Sequence, residues 1–154
     1  YYNEHGEPCW PAQVINYTNK TQFLFRIEKG ILDINDNAVN DHFAEGELRV
    51  PFRNIVYIGD SATDIPCMRL VNSLGGHSVG VYDLENTASK DTVRRMIRDE
   101  RIRYYVPADY TKESEMDTLM HRIIDKTAAY EVLEEKHLRD RKEAVSCNNR
   151  CHSS

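Results

Sequence analysis

Ile55-Val56-Tyr57-Ile58-Gly59-Asp60-Ser61-Ala62-Thr63-Asp64 is the stretch from which the rest of the chain can be placed. A four-residue apolar run of β-favouring side chains ends abruptly at Gly59-Asp60. Continuous apolar residues of this kind predict a strand buried on both faces, as in a parallel sheet. Ligands of open α/β sheets bind just outside the carboxyl ends of such strands. Asp60 and Asp64 both stand at that end, and two acids there can hold a hard, oxygen-seeking cation such as Mg²⁺. A plainer reading of the same residues stands beside this one. Asp64 can be only a helix cap and Asp60 only a turn former.

Downstream the pattern is regular. A helix is predicted from about Asp64 to Asn72, with Pro66 in its first turn, where a missing N–H costs little. Gly75-Gly76 ends it, and Ser78 to Tyr82 forms a second short strand. Residues 88–99 form a helix with Val93, Met96 and Ile97 inward, and a strand follows at Ile102 to Val106. Met116, Leu119, Met120, Ile123 and Ile124 then repeat as a single buried helical stripe. Strand and helix alternating three times imply right-handed crossovers and a parallel sheet.

Upstream, Tyr1 to Asn16 suits a hairpin with its turn near Gly6. Thr18 can cap a helix running to about Lys29, with Phe23, Leu24 and Ile27 on one side and Gly30 as terminator. Residues 31–51, which carry Asp33, Asp36 and Asp41, show no long periodic pattern and read as an irregular connection.

Composition excludes several classes. Hydrophobic residues make up 40% and charged residues 29% of the 154, on the polar side of an ordinary globular protein. A formal charge of −5 offers no basic surface, so nucleic acid is excluded as a partner. No apolar run approaches the ~20 residues that span a bilayer, so no membrane partner is expected. Cys9, Cys67, Cys147 and Cys151 are too few and too scattered for a disulfide framework, and reduced thiols in a cytoplasmic protein are the expectation. Cys147, Cys151 and His152 supply only three of the four groups that a zinc site needs, which favours a polar tail.

Gly-Asp-x-x-x-Asp after an apolar strand, here Tyr57-Ile58-Gly59-Asp60-Ser61-Ala62-Thr63-Asp64-Ile65-Pro66, resembles the fourth motif of the haloacid dehalogenase-like (HAD) hydrolase superfamily. Asn16-Tyr17-Thr18-Asn19-Lys20-Thr21, opening a helix, looks like its third motif, a lysine at a helix start. Gly75-Gly76-His77-Ser78-Val79-Gly80-Val81-Tyr82 and Val106-Pro107-Ala108-Asp109-Tyr110 look like its later strands. The resemblance is closest to phosphatase-like members. It implies phosphoryl transfer from a small phosphorylated substrate through an aspartyl-phosphate, with Mg²⁺ bridging nucleophile and phosphate. It makes Asp60 a direct metal ligand and Asp64 a direct or water-mediated one. It casts Lys20 as the catalytic cation beside the phosphoryl oxygens, with Lys29 as the competing candidate.

The family's first motif, Asp-x-Asp, is missing: no two aspartates here stand two apart. The resemblance places that motif's strand beside the one at 54–58, so without it Ile55-Val56-Tyr57-Ile58 is expected to be an exposed apolar sheet edge. The expectation is therefore the C-terminal half of a Rossmann-like (HAD) parallel sheet with flanking helices and an N-terminal hairpin, belonging to a longer Mg²⁺-dependent hydrolase. Residues 1–126 form that part (1–17 hairpin, 18–126 α/β core), and 127–154 form a charged helical extension and disordered tail. A non-catalytic remnant that binds a cation or a protein is the alternative. A receiver-like domain is disfavoured, since no phosphoacceptor aspartate with two further acids lies near the first strand. His77 and His121 stand alone, with surface histidine as their reading. Ser61 and Thr63 are hydroxyls able to touch metal or phosphate, or simply to close a turn. Cys67 reads as a small core residue.

Overall fold

The computed structural model describes residues 1–11 and 13–151. Its first 105 residues and its last 49 form two compact units. Three strands, β1 (Val56–Gly59), β2 (His77–Tyr82) and β3 (Tyr104–Pro107), form one parallel sheet in the order β1-β2-β3. The β1–β2 register pairs Val56 with His77, Tyr57 with Ser78, Ile58 with Val79 and Gly59 with Gly80. Among the described residues the α-helices are α1 (Lys20–Lys29), α2 (Ile65–Ser73) and α3 (Thr87–Arg98) in the first unit and α4 (Glu115–Cys151) in the second.

The expected alternation of strand and helix is present, and the burial of each element follows its place in the sheet. Every residue of β2 is buried, as befits the central strand. β1 lacks the burial on both faces that its composition predicts and is instead the open edge expected without the first-motif strand. It lies at the sheet edge, where Val56 and Tyr57 are half-buried and Ile58 remains 40% exposed.

Two apolar clusters support the first unit. Leu24, Phe52, Ile55, Cys67 and Val71 form one, and Met68, Tyr82, Val93, Met96 and Ile102 form the other. The ring of Tyr57 packs against both. The predicted inner face of α3 is present, with Val93 and Met96 buried and Ile97 half-buried. Asn86 caps this helix by accepting from the Ser89 N–H at 3.2 Å. In the second unit the α4 stripe buries Met116 and Ile123, while Ile124 is exposed.

At the N-terminus the hairpin reduces to one antiparallel bridge, Tyr2 with Pro8, around a turn in which Gly6 has φ +77°. Trp10, Val14 and Ile15 join no strand and are exposed. The chain enters α1 through a turn built by Asn16, whose side chain accepts from the N–H and hydroxyl of Thr18. The N-cap is therefore Asn19, not Thr18, and Lys20 is the first helical residue. Gly30 ends the helix in the left-handed region at φ +73°.

The face of α1 also departs from the expected Phe23, Leu24 and Ile27. Leu24 is buried and Phe23 half-buried, Ile27 is exposed, and Arg26 is 3% exposed. The reason lies in the irregular connection. The Arg26 guanidinium donates to the carbonyls of Ile31, Asp33, Ile34 and Asp36 and so holds that segment against the helix. The helix α4 continues through Ser146, where a disordered tail was expected, as far as Cys151. Cys147, Cys151 and His152 lie outside the residues whose side chains are described.

Candidate phosphate and metal site at the end of the first strand

Gly59 closes β1, and Asp60 follows it directly at the strand's carboxyl end. Asp60 is exposed, and its carboxylate has no hydrogen bond or ion pair among the described residues. A single 3-10 turn, Ala62–Asp64, then brings the chain back toward the sheet and delivers Asp64 to the start of α2. Asp64 occupies the N-cap position there, yet its side chain caps nothing.

The carboxylate of Asp64 bonds to side chains instead. It is only 6% exposed as a residue, so an ionised group there needs partners. Lys20 Nζ donates to Asp64 Oδ1 at 2.7 Å, bridging positions 44 residues apart. The Tyr57 hydroxyl donates to the same oxygen at 2.9 Å, and Ser61 Oγ donates to Oδ2 at 3.2 Å. Ser61 and Thr63 hydroxyls lie 2.7 Å apart. The close seat of the carboxylate requires glycine at 59. A Cβ there would stand 2.8 Å from the Asp64 Cβ, Cγ and Oδ2.

These contacts shape the charges. Burial acts to raise the Asp64 pKa, but the bonds from Lys20 and Tyr57 outweigh it and hold the carboxyl below its ordinary value. Lys20 is raised, chiefly by its hydrogen bond to Asp64 and against the opposing effect of burial. Burial and the bond to Asp64 push the Tyr57 hydroxyl far up, so it remains a donor at any working pH. Burial also pushes the Cys67 thiol up, as suits the inert core residue expected there.

The structure thus brings Lys20 and Asp64 together and places Asp60 four residues from Asp64, at the open end of the strand. It also separates the two lysine candidates. Lys29 Nζ donates to the carbonyls of Val39 and Asp41 at 2.7 Å each and lies over the Phe43 ring. Lys29 anchors the irregular connection. His121 is on the surface as expected, whereas His77 is 1% exposed and stacks on Tyr104. Tyr57 is the site residue that the sequence reading missed, having been counted in the apolar run. The available signal was a phenol in an otherwise aliphatic strand, since a buried tyrosine hydroxyl needs a partner.

The donors available to a cation are two carboxylates and two hydroxyls, all hard oxygens. This set suits Mg²⁺, which usually takes one or two protein carboxylates and completes its octahedron with waters and substrate phosphate. Among the described residues no three His, Cys, Asp or Glu gather into a metal cluster. Also among them, no helix is long and apolar enough to cross a membrane.

No family model and no solved structure matches the chain. Over 102 residues, 66% of its length, it is 24% identical to an uncharacterized protein of Borreliella burgdorferi. The chain spans about a third of that relative, 34% of its length.

Proposed function

We propose that this chain is the metal- and phosphate-positioning half of a Mg²⁺-dependent phosphoric monoester hydrolase of HAD type. It acts on a small phosphorylated substrate through an aspartyl-phosphate, within a cytoplasmic protein. The observation that carries this reading is the Lys20–Asp64 pair, 2.7 Å long, with Asp64 four residues beyond Asp60, which follows directly on a parallel strand. A helix cap or a turn former would need neither the lysine nor the glycine seat.

Phosphoryl transfer spreads charge over three oxygens, and catalysis consists mainly of positioning and electrostatic stabilisation. Bound Mg²⁺ would supply cationic charge that stabilises the transferring phosphoryl group. Asp60 offers an open carboxylate as its ligand, and Asp64 offers Oδ2, directly or through water. Lys20 keeps two of its three N–H donors beyond the Asp64 bond, and its side chain is 29% exposed. Those donors are available to a phosphoryl oxygen. The reading needs an attacking aspartate from an Asp-x-Asp motif, which these 154 residues do not contain.

One observation favours a second reading. These 154 residues contain no Asp-x-Asp, as a non-catalytic remnant binding a cation or a protein partner would have it. Hydrolysis of p-nitrophenyl phosphate by the protein that includes the segment before Tyr1 separates the two. Asp60→Asn and Lys20→Met should each lower Mg²⁺-dependent turnover on the order of 10²-fold or more. Unchanged turnover in Asp60→Asn sinks the metal assignment. A wild type that lacks both turnover and an upstream Asp-x-Asp leaves the remnant.

A further inference from the structure

We infer that Tyr57 is a positioning residue of this site: its hydroxyl fixes the orientation of the Asp64 carboxylate, so that Oδ2 is the oxygen presented to a cation. The inference rests on the reading of Asp60 and Asp64 as Mg²⁺ ligands.

Three features of the geometry lead to it. Both strong donors, Lys20 at 2.7 Å and Tyr57 at 2.9 Å, converge on Oδ1. Oδ2 is left with the longer bond from Ser61, at 3.2 Å. Gly59 faces Asp64 Oδ2, which a Cβ there would approach to 2.8 Å, so that oxygen keeps its space only because residue 59 has no side chain.

Lysine alone cannot set this orientation. Its ammonium is a point charge on a flexible four-carbon stem and can follow the carboxylate through many rotamers. Tyrosine has two side-chain torsions, and the Tyr57 ring is held between two apolar clusters. Its hydroxyl therefore arrives from a fixed direction. In metal sites, such outer hydrogen-bond partners orient the ligating group, and their loss commonly costs 10- to 100-fold in metal affinity.

The test titrates Mg²⁺ alone into the ¹⁵N-labelled protein that includes the segment before Tyr1, following the amides of Asp60 to Asp64. In Tyr57→Phe the Mg²⁺ dissociation constant should rise by about tenfold or more. Thermal unfolding without Mg²⁺ accompanies each titration, and affinity is taken per folded molecule. A hydroxyl with a merely structural role would lower the melting temperature and leave that affinity unchanged. Equal affinity in wild type and Tyr57→Phe overturns the inference while the metal reading stands. No amide response in wild type, with the chain folded, overturns the metal reading and the inference together.

A second measurement needs no variant. With tyrosine labelled at ¹³Cζ, the Tyr57 signal of the wild type should move on the same Mg²⁺ curve as the Asp60–Asp64 amides. A Tyr57 signal indifferent to Mg²⁺ while those amides respond also overturns it.

Discussion

Asp64 and Lys20 are unequal partners, and their inequality has measurable consequences. The Asp64 side chain is 9% exposed and that of Lys20 29%, so losing the lysine strands a buried carboxylate, whereas losing the acid leaves a cation that can reach water. Lys20→Met should therefore cost about 1–3 kcal/mol near neutral pH and Asp64→Asn less, read from urea unfolding. The pH dependence follows from the two shifts. Asp64 has a lowered folded pKa, so its contribution is present above about pH 4 and lost as pH falls through the folded value. Lys20 has a raised one, so its contribution is present below about pH 10.4 and lost as pH rises beyond it. Protonating Asp64 removes the stranded charge, so the Lys20→Met penalty should shrink toward pH 3. A penalty independent of pH between 3 and 7 would show that packing, not charge, sets it. At this scale the sequence was legible where chemistry follows spacing. Asp60, Asp64 and a lysine opening a helix stand out in a linear reading. The choice between Lys20 and Lys29 depended on which carbonyls the chain brings to Lys29, and no local pattern encodes that.

Among the elements, α1 shows how far periodicity carries. Its C-terminus was readable from Gly30, and its start to within one residue, with Asn19 and not Thr18 at the cap, because end signals are local. Its buried face was only partly readable, because Arg26 is buried by acceptors that lie 5 to 10 residues further on. An irregular segment has backbone groups without ladder partners, and a buried guanidinium with several donors can satisfy them. Arg26 thus makes an ordered piece of 31–36 out of a sequence with no pattern. Arg26→Met keeps much of the stem but removes the donors. Three of the four carbonyls it frees lie on exposed residues and that of Ile31 on a half-buried one, so they can rehydrate, and the cost should be about 2–3 kcal/mol and not a sum over four bonds. Amide exchange in residues 31–36 should quicken in parallel, as hydrogen–deuterium exchange would show. A variant as stable as wild type, with unchanged exchange, would mean that the apolar contacts alone hold the segment. The α3 stripe needed no such help, since apolar spacing alone set its face, whereas the α4 stripe holds at Met116 and Ile123 and fails at Ile124, which is exposed.

For the whole molecule, the consequential feature is the sheet edge. The parallel direction was legible from alternation and the open edge of β1 from the missing first motif, but the spatial order of the strands was not. Ile55 to Ile58 has the composition of a strand covered on both sides, and composition does not reveal whether neighbours are present. β1 has β2 on one side, and its other edge is unpaired among the described residues. Exposed apolar edges template pairing with another chain. Ile58 is 40% exposed on that strand, and Trp10, Val14 and Ile15 add further exposed apolar surface in the same unit. The 154-residue chain on its own should therefore be marginally stable and associate with itself as concentration rises. Sedimentation velocity on dilution from about 100 µM to 1 µM reads this directly, as a falling weight-average sedimentation coefficient. Ile58→Lys places on the edge the charge that natural edge strands use against pairing. It should restore the monomer without touching Lys20, Tyr57 or Asp64, so the Mg²⁺ response of the Asp60–Asp64 amides should persist. A wild-type chain that sediments as a monomer at every concentration, and unfolds in one cooperative urea transition, would show that β1 tolerates its open edge.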